Sequence, residues 1–135
     1  MALRYLLDTN IVIYIRERNP ARTYARFAAE EPDDMAISTI TYGELDYGVR
    51  RSTNPAKALA VMTALLQVLR VLPLKPEVGE AYGELRASLG GAGQIIGPND
   101  LWIAAHALAE NLVLVTNNER EFRRVKGLKI ENWAR

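Results

Sequence analysis

The sequence predicts an α/β fold with a mostly parallel sheet of four to five strands covered on both faces by helices. Three observations support this expectation. Short apolar runs rich in Val, Ile, Leu and Tyr alternate with longer segments of helical periodicity. Polar or acidic residues follow several of the runs directly, as at strand ends. Strand–helix–strand units of this kind close almost always by right-handed crossovers, which make the strands parallel and bury both faces of the sheet.

Taken in order, Arg4-Tyr5-Leu6-Leu7 reads as the first strand, and Asp8-Thr9-Asn10 closes it and opens a helix over 10–18. Asn19-Pro20 interrupts that helix, and a second follows over 21–30, since proline is tolerated where a helix begins. Met35-Ala36-Ile37-Ser38 is the second strand, and hydroxyls at Ser38, Thr39 and Thr41 offer caps for a helix over 41–51. A helix over 55–68 places Leu59, Met62, Leu65 and Leu66 at helical spacing. It runs into a third strand within 68–72, and a helix over 76–89 follows. Gly90-Gly91-Ala92-Gly93 is a flexible loop expected near the rim of a site. Asn99 or Asp100 caps an unusually apolar helix over 100–110, which must be buried. The run 112–116 is a fourth strand, the charged segment Glu119–Arg124 a short helix, and 128–130 a short fifth strand.

A chain of 135 residues with 49% apolar composition is enough for one core, so residues 1–135 are expected to form a single domain. Uncharged runs stop short of the ~18 residues a membrane span needs, and no secretory leader is evident. A soluble, cytoplasmic protein is expected. With no cysteine and one histidine, His106, disulfides, thiolate zinc sites and imidazole-rich metal centres are excluded. There is no GxxxxGK[ST] loop, no GxGxxG after the first strand and no HExxH, so nucleotide hydrolase, dinucleotide enzyme and zinc protease readings fail. His106 belongs to the apolar helix and reads as a hydrogen-bonded core residue.

Asp8, Glu44, Asp100 and Glu121 are the candidate catalytic residues. In a parallel sheet ligands bind outside the carboxyl ends of the strands, which gathers acids that are distant in sequence. Each has a local alternative. Asp8 is also a natural N-cap, Glu44 also suits the positive end of a helix dipole, and Glu121 also suits a solvated helix face. Gly43, beside Glu44, suggests close approach of a backbone or substrate. Thr9 and Asn10 are placed to steady Asp8 or its bound water. Oxygen-only ligands select magnesium, with manganese as the alternative ion, for hydrolysis of phosphodiesters. Net charge is only +1, but 13 of the 17 basic residues are arginines, the side chain suited to phosphates and bases. Arg50, Arg51, Arg86, Arg120, Arg123 and Arg124 are the candidate phosphate contacts.

Leu7-Asp8-Thr9-Asn10, Ile40-Thr41-Tyr42-Gly43-Glu44-Leu45, Ile96-Gly97-Pro98-Asn99-Asp100 with Ile103-Ala104-Ala105-His106, and Val115-Thr116-Asn117-Asn118 with Glu121-Phe122 follow one another in this order and spacing along the chain. In these motifs, over essentially its whole length, the chain resembles PIN-domain endoribonucleases, and within them the VapC-type toxins of type II toxin–antitoxin pairs. The resemblance implies a three-layer α/β/α fold and a homodimer. It implies magnesium-dependent RNA cleavage with Asp8, Glu44 and Asp100 as metal ligands, Glu121 as the more variable fourth acid, and Thr116 and Asn118 in support. It also implies a small antitoxin that lays a C-terminal segment, often with an arginine, across the acidic pocket. Two other classes compete: a regulatory module on the same fold that acts through an antitoxin and DNA without catalysis, and a receiver-like signalling domain. The second lacks an acidic pair at the first strand, and Lys126 is poorly placed for it.

Overall fold

A computed structural model describes residues 2–135. Its elements are β1 (Tyr5–Leu7), α1 (Thr9–Glu17), α2 (Ala21–Ala29), a 3-10 turn (Pro32–Asp34), β2 (Met35–Ser38), α3 (Thr39–Arg50), α4 (Pro55–Leu65), β3 (Arg70–Leu72), α5 (Pro76–Gly91), α6 (Pro98–Ala109), β4 (Val113–Val115), α7 (Glu119–Phe122) and β5 (Ile130–Glu131). The five strands are all parallel, in the order β3-β2-β1-β4-β5. The three-layer α/β/α expectation holds.

The pleat divides the core. Tyr5 and Leu7 pack on one face with Ile11, Val12 and Ile15 of α1, Leu45 of α3, Met62 of α4 and Trp133. Leu6 and Leu114 pack on the other with Leu89 of α5, Leu101, Ile103, Ala104 and Ala107 of α6, and Phe122 of α7. β1 is buried on both faces, which is why its run is continuously apolar rather than alternating. Truncating a fully buried leucine there, such as Leu6, costs about 2–5 kcal/mol through lost transfer energy and the cavity left behind.

The chain builds outward from β1 through β2 to β3, then crosses back to lay β4 on the other side of β1. The crevice above the carboxyl ends of β1 and β4 is therefore the topological switch point, where such sheets bind ligands. Leu7 pairs with Val115, and Asp8 N–H donates to the Val115 carbonyl at 3.0 Å. Asp8 and Thr116 thus leave adjacent strands side by side.

Several boundaries differ from expectation, each with consequences for the site. α3 begins two residues early because Ser38 caps it, its Oγ accepting from Ile40 N–H at 3.1 Å. Glu44 then lies in the second turn, not the first, so a dipole-neutralising role does not explain it. α6 begins at Pro98, whose fixed φ suits the first helical position, with Gly97 as N-cap. Neither Asn99 nor Asp100 is the cap, and both lie in the first turn. Asp100 is consequently not at a strand end: it reaches the sheet edge because α6 runs antiparallel to the strand it feeds. α5 continues through Gly91, so only 92–97 is loop, with Gly93 in the left-handed region (φ 69). A Cβ on Gly43 would meet nothing within 4 Å, so no neighbouring backbone packs there.

Candidate active site

Asp8 is 4% exposed and caps α1, its Oδ1 accepting from Ile11 N–H at 2.9 Å. The capping role and the site are therefore compatible. Burial pushes its carboxyl up from 3.8 to about 6. Hydrogen bonds from the Thr116 side chain and Ile11 N–H pull the other way, and the Glu44 charge adds to the rise. Asp100 is pushed up to about 6 as well, first by burial, then by the charges of Glu121, Asp8 and Glu44. These couplings show that the four carboxyls from four elements share one electrostatic site.

The two glutamates are differently held. Glu44 Oε1 accepts from the Thr9 hydroxyl, and Oε2 accepts from Asn99 Nδ2 at 3.2 Å. Thr41 Oγ1, buried on α3, lies 3.2 Å from Thr9 Oγ1. Glu121 Oε1 accepts from Gly97 N–H at 2.7 Å, and Oε2 from Asn118 Nδ2 at 2.8 Å. Burial pushes the Glu121 carboxyl up, but Gly97, Asn118, a hydrogen bond shared with Asp100 and the Arg124 charge outweigh it and hold the group below its ordinary value. Of the two neighbouring carboxyls, Asp100 is therefore the one that takes up a proton first as pH falls. Glu121 is not a solvated side chain, despite its charged local sequence.

Of the supporting residues expected from sequence, Thr9, Thr116 and Asn118 each hydrogen-bond an acid, and Thr116 Oγ1 also accepts from Asn118 N–H at 2.9 Å. Asn10 is exposed on α1 and, among the described residues, bonds to none of them. Sequence reasoning missed Asn99 as a Glu44 partner, Thr41, and Gly97, where a Cβ would lie 3.6 Å from Glu121 Oε1 and 3.9 Å from Asp100 Oδ2. Asn99 was readable as a donor beside an acid, whereas the Gly97 contact depends on tertiary placement alone.

The arginines scatter. Arg50 is paired with Asp46 at 2.7 Å, and Arg51 lies over the Tyr47 ring, both at the far end of α3. Arg86 on α5 donates to the Tyr82 hydroxyl at 2.9 Å, and Arg123 pairs with Glu119 at 2.7 Å. Arg120 is exposed beside Glu121, and Arg124 donates to the Ile95 carbonyl at 3.1 Å while acting on Glu121.

The donor set suits a hard cation: carboxylate oxygens only, two of them raised by burial and mutual repulsion, so that a positive ion would relieve both penalties. Among the described residues no three acids already converge on one point, and Glu44 and Glu121 are hydrogen-bonded to Asn99 and Gly97.

Comparison with known proteins agrees with this architecture. A family model described as PIN domain matches residues 5–128. The chain is 44% identical over 132 residues to Ribonuclease VapC2 of Haemophilus influenzae, covering 98% of this chain and 99% of that protein. It is 39% identical over 132 residues to the tRNA(fMet)-specific endonuclease VapC of Shigella flexneri, again covering 98% and 99%. Among solved structures it is similar to DNA-bound VapBC from Salmonella typhimurium, with a TM-score of 0.92 and 39% identity over 98% of this chain and 99% of that one. It is also similar to VapBC2 from Rickettsia felis bound to a promoter DNA fragment, with a TM-score of 0.90 and 39% identity over 97% and 99%. With a parallel sheet, acids gathered at its switch point and full-length similarity to these nucleases, the chain belongs to the PIN-domain family and, within it, to the VapC ribonucleases.

Proposed function

We propose that the chain, acting as one domain over 1–135, is the toxin of a type II toxin–antitoxin pair and an endoribonuclease that hydrolyses RNA phosphodiester bonds with a divalent cation. The observation that carries the reading is that Asp8 and Asp100, both raised to about 6, stand in one acidic cluster at the switch point, where the charges of Asp8, Glu44 and Glu121 all act on Asp100. Magnesium, or manganese in its place, fits Asp8 and Asp100 as direct ligands, with Glu44 and Glu121 acting from the flanks. Such an ion supplies charge that activates an attacking water and stabilises the leaving oxygen.

The remaining work falls to side chains of the site. Thr116 and Ile11 N–H aim Asp8, while Thr9 and Asn99 aim Glu44 so that it can orient water and take up its proton. Glu121 fixes the first turn of α6 through Gly97, and with it Asp100. Arg124, whose charge acts on Glu121, and Arg120, exposed and next to Glu121 in sequence, are the favoured phosphate contacts. The similarity to nucleases named VapC and to VapBC complexes supports a small antitoxin as the partner and RNA as substrate, and the reading includes a homodimer working in the cytoplasm. Among the described residues no helix is long and apolar enough to cross a membrane. A regulatory module without catalysis gains no support from relatives named as ribonucleases.

The test is cleavage of total RNA by antitoxin-free protein with magnesium or manganese against EDTA, with Asp8→Asn and Asp100→Asn in parallel. Metal-dependent fragments that vanish in both variants are expected. Equal cleavage in EDTA would overturn the reading.

A further inference from the structure

His106 is a buried titratable side chain that the site above does not use. It is 0% exposed on α6, and its Nδ1 lies 2.8 Å from Ser38 Oγ. Ser38 already accepts from Ile40 N–H, so its own proton is free to go to Nδ1. That places the imidazole proton on Nε2, which is buried without a hydrogen-bond partner, 3.8 Å from Glu110 Oε2. Lys75 Nζ stands 3.8 Å from the same carboxylate oxygen. Burial, which outweighs the Glu110 charge, lowers the pKa of the ring and keeps it neutral. An unpaired buried N–H costs free energy that an apolar side chain of similar size would avoid. What the imidazole adds at this position is the bond to Ser38.

That bond is one half of a clamp. Asn99 donates to Glu44 at 3.2 Å, linking the start of α6 to the second turn of α3. His106 lies seven residues, or about 10 Å, further along α6, and Ser38 lies six residues, or about 9 Å, back along α3. The two spacings match for antiparallel helices, so the pair of bonds fixes both the rotation and the slide of α6 against α3. We propose that His106 is a positioning residue: through Ser38 it locks α6 to α3 and so sets Asn99 and Asp100 against Glu44. The inference rests on the function proposed above for those acids, but its geometry stands apart from it.

The test compares His106→Asn with His106→Gln. The Asn side-chain oxygen falls where Nδ1 stands and can still accept from Ser38, whereas the Gln amide falls near Nε2 and cannot. Volume favours Gln for stability; positioning favours Asn for function. Mn2+ affinity, single-turnover rate, KM, Tm and the Asn99 side-chain amide resonance, which reports the bond to Glu44, are measured for both and for Ser38→Ala. Expected are a rate and Mn2+ affinity about tenfold lower in His106→Gln and Ser38→Ala, with KM little changed, and no further loss when the two are combined. His106→Asn should stay within about threefold of wild type despite a lower Tm. Affinity and rate that follow Tm, or additive losses in the double variant, would overturn the proposal, and the Ser38 cycle decides if His106→Asn does not fold. Wild type that binds Mn2+ but cleaves no RNA would defeat the nuclease reading alone, since the order of affinities still decides this one. If wild type binds no Mn2+, an Asn99 resonance shifted in His106→Gln and kept in His106→Asn supports the clamp, and one unmoved in both refutes it.

Discussion

Asp100 and Glu121 lie in the first turns of two helices, α6 and α7, and share a hydrogen bond, yet they are pushed in opposite directions. Glu121 is met by Gly97 N–H, Asn118 and Arg124, whereas Asp100 is surrounded mainly by other carboxyls. Asp8 resembles Asp100, being raised to about 6 although Thr116 and Ile11 donate to it. The difference separates two tasks within one acidic cluster. Aspartates short of positive partners are suited to hold a cation, and a glutamate saturated with donors is suited to hold the scaffold around them.

The largest effect should come from the aspartates. Asp8→Asn or Asp100→Asn should lower kcat/KM for metal-dependent RNA cleavage by about 10³-fold or more, which single-turnover kinetics would show. Without metal, Asp8→Asn should instead stabilise. Folding raises this carboxyl from 3.8 to about 6, so the folded chain binds the proton more tightly than the unfolded one. Its contribution is favourable below pH ~4, is lost as pH rises through about 6, and leaves a penalty of about 3 kcal/mol above that. Asparagine keeps the N-cap and removes the penalty. Denaturant titrations in EDTA should therefore give variant and wild-type stabilities that diverge between pH 4 and 7, and parallel curves would contradict the assignment.

A smaller loss is expected at Glu121. Glu121→Ala should cost activity about tenfold and also lower Tm, because it loses the bonds from Gly97 N–H and Asn118 Nδ2, while Glu121→Gln retains an acceptor and most of the stability. If Glu121→Gln is as inactive as Asp100→Asn, the division of tasks collapses. Asn99→Ala should lower kcat about three- to tenfold with KM unchanged. At the low end, charge reversal at Arg120 and Arg124 should weaken RNA binding and flatten its salt slope by about one for each phosphate no longer neutralised. Reversal at Arg50, already paired with Asp46 at the far end of α3, should change neither.

The sheet was legible because β1, β2 and β4 are short apolar runs closed by polar residues, and the rule that parallel sheets bind ligands at their carboxyl ends was enough to suggest one edge for Asp8, Glu44, Asp100 and Glu121. Their roles were less legible. Locally only Asn118 distinguishes Glu121 from a solvated helix residue, since its other partner, Gly97, lies 24 residues away. Likewise the start of α6 at Pro98 moved Asp100 from cap to first turn, a shift of two residues that sequence patterns seldom resolve. The arginines were the least legible, because exposed cations are placed by neighbours such as Asp46 and Glu119 rather than by a periodic pattern.

The most direct test of the central claim is a carboxyl-carbon NMR titration of Asp8, Asp100 and Glu121 with and without magnesium. The two aspartates should titrate near pH 6 in metal-free protein and move well below that when the ion is added, while Glu121 stays below the ordinary glutamate range throughout. Aspartates that titrate in the ordinary carboxylate range and do not respond to magnesium would contradict it.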